Sequence, residues 1–217
     1  MVQVLDKGNS NTVELLGFYG GDETHALSAW TSTSRDLTAD KRGRIPVLLK
    51  TLAENGHHTP FEKSYLQFLV TCDTASHIHL IKHRIGVSIN GESARYKELK
   101  EDKYYIPKDW PKENQGLLID WSEEALKHYH ETIESLVNSG LTRKRAKESA
   151  RFFIPYSNQV ILDIGFNFRS FMHFQSLRNS PDAQIEVRDI ARQMLWYVSK
   201  IPEFKYSLEA FNYATYE

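Results

Sequence analysis

Cysteine is nearly absent from this sequence: Cys72 is the only one in 217 residues. A single thiol excludes an internal disulfide and a four-cysteine zinc site, and it fits a reducing compartment. Long hydrophobic runs are missing too. No stretch approaches the roughly 18 uninterrupted apolar residues of a membrane-spanning helix, and Met1 to Gly8 lacks the basic-then-apolar order of a signal peptide. A soluble, cytoplasmic protein with no membrane partner is expected. Nor does either charge dominate: 27 Lys and Arg against 28 Asp and Glu leave a formal net charge of -1, which argues against a nucleic-acid coating protein and leaves only local basic patches. Internal repeats, low-complexity tracts and dividing linkers are likewise lacking, so residues 1–217 read as one domain. The 41% hydrophobic residues suffice for one substantial core, and the 12% aromatics and nine histidines hint at a site for flat ligands or a titrating cluster.

Local patterns predict irregularly alternating strands and helices. Val2 and Val4 flank Gln3 like a short strand over 1–5, and the polar run 31–44 reads as a loop between two helices, the second spanning about 45–55 before Gly56. The aromatic and β-branched segment 65–71 is a strand, and Asp73 or Thr74 can cap a helix through about Arg84. Residues 85–96, with Gly86, Asn90 and Gly91, read as loop, and 97–116, with Pro107 and Pro111, as a long polar excursion. Asp120 and Glu123 resemble a capping box ahead of a stripe of Leu126, Tyr129, Ile133, Leu136 and Val137, and a further helix spans about 142–154. Residues 159–164 form a second strand. Asn167 caps a helix to Leu177, and Ser180-Pro181 starts another that buries Ile185, Val187, Ile190, Ala191, Met194, Leu195 and Val198. The fold class is therefore α+β or mixed α/β.

The densest chemistry lies in 82–96. Lys82, His83 and Arg84 precede a Gly/Asn/Ser-rich stretch closed by Arg95, a pattern that suits a phosphate site as well as it suits a solvated basic helix end. Arg143, Lys144, Arg145, Lys147 and Arg151 form a second anion-ready region, in which Lys144, Lys147 and Arg151 share a helical face. Asn167, Arg169 and Arg178 bracket an aromatic helix containing Phe168, Phe171 and Phe174. His57, His58, His77, His79 and His83 cluster in sequence, with His79 and His83 four apart on one predicted helix, but there is no His-Glu-x-x-His pattern and no metal is expected. Cys72 at the end of an apolar strand reads as a small buried residue rather than a nucleophile, and neither Ser88 nor Ser93 belongs to a recognisable Ser-His-Asp set.

These segments together resemble the flavin-dependent thymidylate synthases. Lys82-His83-Arg84, eight residues and Ser93 are similar to that family's Arg-His-Arg, seven residues, Ser signature. Gly56-His57-His58-Thr59-Pro60-Phe61-Glu62, Ser93-Ala94-Arg95-Tyr96, Ala150-Arg151-Phe152-Phe153-Ile154-Pro155, Asn167-Phe168-Arg169-Ser170, Leu177-Arg178 and Ala183-Gln184-Ile185-Glu186 follow in the family's order and spacing. The resemblance implies a central β-sheet flanked by helices, a homotetramer with sites built from several subunits, and synthesis of dTMP from dUMP with methylenetetrahydrofolate, NADPH and FAD. It implies Ser34, His57, Thr59, Lys82, His83, Arg84, Asn90, Asn167, Arg169 and His173 beside FAD. His79, Gly91, Glu92, Ser93, Ala94, Arg95, Arg151 and Arg178 would meet dUMP, with Ser93, Arg95 and Arg151 on its phosphate. Arg178 and Lys82 would be catalytic. A guanidinium at the uracil suits the chemistry, because attack at the ring builds negative charge on its carbonyls. Lys82, His79, Gly91 and His173 depart from the family's usual Arg, Gln, Glu and Asn. A relative that binds FAD and nucleotide without methylating, and an RNA-binding module, are the competing readings.

Overall fold

The computed structural model describes residues 10–93, 98–99 and 102–213, so the expected strand at 1–5 lies outside the described residues. Four strands, β1 (Thr12–Tyr19), β2 (Tyr65–Asp73), β3 (Val87–Gly91) and β4 (Gln159–Phe166), pair in the order β1-β2-β4-β3. All three pairings are antiparallel. Gly20 lies against Ser64 and Asn11 against Asp73; Gln67 binds Asp163 while Gly165 faces Tyr65; Gly86 meets Asn167 while Glu92 meets Ile161. In β2 the period of two is plain, with Leu66, Phe68, Val70 and Cys72 all buried. The helices are α1 (Asp22–Trp30), α2 (Ala39–Glu54), α3 (Thr74–Leu80), α4 (Lys112–Asn138), α5 (Arg143–Ala150), α6 (Phe168–Arg178), α7 (Ile185–Ser199) and α8 (Lys205–Ala210). The fold is thus a mixture of helices and one sheet, as expected. Among the described residues no helix is long and apolar enough to cross a membrane.

Several boundaries differ from the expectation, each for a local reason. α2 starts at Ala39, inside the predicted 31–44 loop, because the Thr38 hydroxyl accepts from Lys41 N at 3.3 Å; Pro46, which resembles a first-turn proline, lies inside the helix. Residues 87–91 are strand rather than loop, since half-buried Val87 and Ile89 alternate with exposed Ser88 and Asn90 on an edge. Asp73 caps α3 by accepting from Ser76 N at 2.7 Å, but the helix stops at Leu80, so His79 and His83 share no helix face. α4 begins at Lys112 and runs through Asp120, which is therefore no cap. α7 begins at Ile185, after a turn in which Ala183 N donates to Ser180 O.

The described residues group into two compact units: those of Met1–Thr12, Thr71–Leu80 and Asn90–Leu162, and those of Val13–Val70, Ile81–Ile89 and Asp163–Glu217. In the first, Tyr129 is fully buried among Leu99, Ile133, Ala146 and Ala150, and its hydroxyl accepts from Leu99 N. The second is built around an aromatic cluster in which Phe61, Phe168, Phe171, Phe174 and Phe204 are wholly buried.

A polar chain runs through the second unit. Ser207 donates its hydroxyl to Asp22 at 2.5 Å, so it must accept from His25 Nδ1 at 2.8 Å, leaving His25 Nε2 to accept from Ser64 at 2.8 Å. Burial holds the enclosed His25 neutral, with its pKa lowered from 6.5 to about 3. Burial also raises the Asp22 carboxyl from 3.8 to about 6, against the hydrogen bonds from Ser207 and Tyr206. The two act oppositely on stability. As pH falls below 6.5 the unfolded chain protonates its histidine and the folded one does not, costing about 1.4 kcal/mol per pH unit. Between about 6 and 4 the folded chain holds a proton on Asp22 that the unfolded chain releases, which offsets the loss. Asp22→Asn removes the offset. Its melting temperature should fall more steeply than the parent's between pH 6.5 and 4, by an amount worth on the order of 3 kcal/mol. Parallel melting profiles for the two proteins would show that the fold does not raise the Asp22 carboxyl.

Candidate active site

The start of α6 builds a cleft. Asn167 caps the helix by accepting from Ser170 N at 2.8 Å, and the preceding loop is pinned there by Asn167 N to Gly86 O at 3.0 Å and Ser170 Oγ to Ile85 O at 2.7 Å. Gly86 has φ +65°, and a Cβ on it would lie 2.3 Å from both Asn167 Nδ2 and Ser170 Oγ. Only glycine allows this approach. The cleft, of about 720 Å³, is lined by Ile85 and Gly86, by Asn167, Arg169, Ser170, Met172, His173 and Ser176, and by His58, Glu62 and Phe211. Arg169 Nη1 bonds Glu62 Oε1 at 2.5 Å. A capped helix N-terminus beside a guanidinium favours an anion, and Phe211 and His58, 5.2 Å apart, add aromatic surface for a flat group. That combination fits a flavin dinucleotide, which carries both.

At the other end of α6 stands a second constellation. Arg178 Nε donates to His83 Nε2 at 2.9 Å, and the His83 ring packs edge-to-face on Phe174 at 4.9 Å. Burial first, then the charge of Arg178 and the nearby His173, push His83 down to about 4. Its imidazole is therefore neutral near pH 7, with the proton on Nδ1.

The other sequence candidates are more dispersed. His57 and Thr59 are exposed beside His58, and Lys82 and Arg84 are exposed beside His83. Ser34 sits in an exposed loop and bonds Asp36 and Lys41. Asn90 and Gly91 end β3, Glu92 N donates to Ile161 O at 2.8 Å, and Ser93 is half-buried. His79 is half-buried on α3; Arg151 is exposed, with Nε donating to Glu148 O at 3.1 Å. These last six belong to the first unit. Ala94 and Arg95 lie outside the described residues. Cys72 is buried, and burial together with Asp73 raises its pKa, so it is a thiol, as its place in the sequence suggests. Among the described residues no three His, Cys, Asp or Glu side chains are grouped to hold a metal.

The sequence model of the thymidylate synthase complementing protein family matches residues 14–202. The chain belongs to this family. Similar curated proteins include the flavin-dependent thymidylate synthases of Kosmotoga olearia, 31% identical over 88% of this chain and 84% of that protein, and of Thermosipho melanesiensis, 30% identical over 97% and 94%. Among solved structures, the UMP/dUMP methylase PolB of Streptomyces cacaoi, bound with 5-Br dUMP, superposes with a TM-score of 0.78 at 27% identity, covering 96% of this chain and 97% of that one. For this member of the thymidylate synthase complementing proteins, sequence reasoning left out Gly86, Glu62, Ser170 and Phe211 from the candidate site. Glu62 and Ser170 close two of the motifs already quoted, and Gly86 lies within the signature, two residues after Arg84. Phe211 gave no signal, because only the fold brings the end of the chain to the cleft.

Gly86→Ala tests the cleft. The added methyl must push Asn167 or Ser170 aside in a left-handed backbone, so flavin affinity should drop at least about tenfold, with roughly 1–2 kcal/mol lost from stability. Unchanged affinity in a flavin-fluorescence titration would separate this cleft from the cofactor.

Proposed function

We propose that this protein methylates dUMP to dTMP with FAD as cofactor, taking the one-carbon unit from methylenetetrahydrofolate and reducing equivalents from NADPH. The observation that carries the reading is one helix, α6, with an anion-ready cleft at its start and a guanidinium set by a neutral imidazole at its end. Membership of the family and the flavin dependence of its relatives support FAD; the methylase neighbour, which holds a brominated dUMP, supports the substrate. FAD supplies the redox chemistry when bound. Asn167, Arg169 and His173, with the α6 amides and Gly86, would hold it. Arg178 would meet the uracil and stabilise negative charge on its carbonyls, with Lys82 as a second positive charge; the resemblance assigns the phosphate to Ser93, Arg95 and Arg151. No thiolate is required, consistent with the raised pKa of Cys72. The resemblance further supports a homotetramer of single-domain chains acting in the cytoplasm, and the near-zero net charge favours small-molecule partners over nucleic acid. Titration of the purified protein with FAD should quench flavin fluorescence to saturation. A titration without quenching would overturn the flavoenzyme reading.

A further inference from the structure

We propose that His83 is a positioning residue for Arg178: its Nε2 accepts the Arg178 Nε proton and fixes the guanidinium so that the Nη edge is presented to the pyrimidine. The inference rests on the reading of Arg178 as the uracil-facing group. An arginine on the last turn of a helix has several rotatable bonds, and holding it in one geometry costs entropy unless a partner is already in place. His83 is such a partner. Its ring is set edge-to-face against Phe174, which is fully buried and sits four residues before Arg178 on the same helix face, so anchor and arginine share one rigid support. The bond uses Nε, and among the described residues nothing hydrogen-bonds Nη1 or Nη2, which leaves the parallel fork for a ring oxygen and nitrogen. The partner's chemistry matters as much as its place. A carboxylate there would orient the guanidinium but cancel its charge; a neutral imidazole orients it and leaves the full positive charge for the developing oxyanion. The depressed pKa of His83 is consistent with this, since an imidazolium cannot accept.

A double-mutant cycle tests the proposal, with His83→Phe (shape without acceptor), His83→Gln (side-chain oxygen as acceptor) and Arg178→Ala, alone and combined. Two quantities are read: kcat/KM for dUMP at saturating FAD, and the dUMP dissociation constant by calorimetry on flavin-loaded protein, with melting curves to confirm folding. His83→Phe should lower kcat/KM by about tenfold or more, and His83→Gln should stay within about threefold of the parent. In the Arg178→Ala background His83→Phe should change neither quantity beyond about twofold, because the group it positions is gone. Equal losses in both backgrounds, or a Phe variant at the parental level, would overturn the positioning role while leaving Arg178 in place. If Arg178→Ala itself leaves binding and turnover unchanged, the uracil assignment falls and this inference with it. Should His83→Phe fold poorly, His83→Ala carries the same expectation.

Discussion

Arg178→Ala is expected to lower kcat for dTMP formation by about a hundred- to a thousandfold at saturating FAD and dUMP, the usual consequence of removing one preorganised charge donor from a developing oxyanion. The side chain is half-buried and hydrogen-bonded to His83, yet it closes α6 rather than filling the aromatic core, so the fold should survive. Arg178→Lys should recover little of the loss, because an ammonium has neither the Nε donor that meets His83 nor the planar fork. Stopped-flow or steady-state product analysis reads the effect, and a circular-dichroism melt within a few degrees of the parent shows that it is chemical. A normal rate in Arg178→Ala would remove this residue from the reaction.

Phe168→Ala should have the largest effect on stability. Its ring is fully buried, stacks on Phe204 at 5.2 Å and lies 5.4 Å from His25, 6.0 Å from Phe211 and 6.2 Å from Phe61. Truncating a phenylalanine so enclosed costs about 3–5 kcal/mol in lost transfer energy and cavity formation. Because Phe168 is the first residue of α6 and immediately precedes Arg169, the loss should reach the cleft, weakening FAD binding even where the protein is still folded. Chemical denaturation of parent and variant gives the difference directly, and a change below about 1 kcal/mol would show that the cluster repacks freely.

What the sequence revealed depended on how local the determining forces were. The Asn167 cap, the alternation in 65–71 and the stripe of Leu126, Tyr129 and Ile133 were legible because each is decided by neighbours within a turn or two. α3 ends about four residues before the sequence predicts, although nothing in Lys82-His83-Arg84 forbids helix; in the fold His83 lies beyond the helix and meets Arg178. In β3 the local signals of Gly86, Asn90 and Gly91 favour loop over the strand preference of Val87 and Ile89, and only pairing with β4 decides for strand. At the site the charged residues were recognised by type and spacing. Their partners were not: Glu62 for Arg169 and Ile85 O for Ser170 are contacts made across the tertiary fold.

The most direct measurement of the central claim is an anaerobic incubation of the FAD-loaded protein with dUMP, methylenetetrahydrofolate and NADPH, followed by separation of the nucleotides. Net formation of dTMP over several turnovers, abolished when either dUMP or the folate is omitted, is the predicted result. A protein that binds FAD and dUMP yet forms no dTMP would contradict it and show a family member that has kept the pockets and lost the transfer.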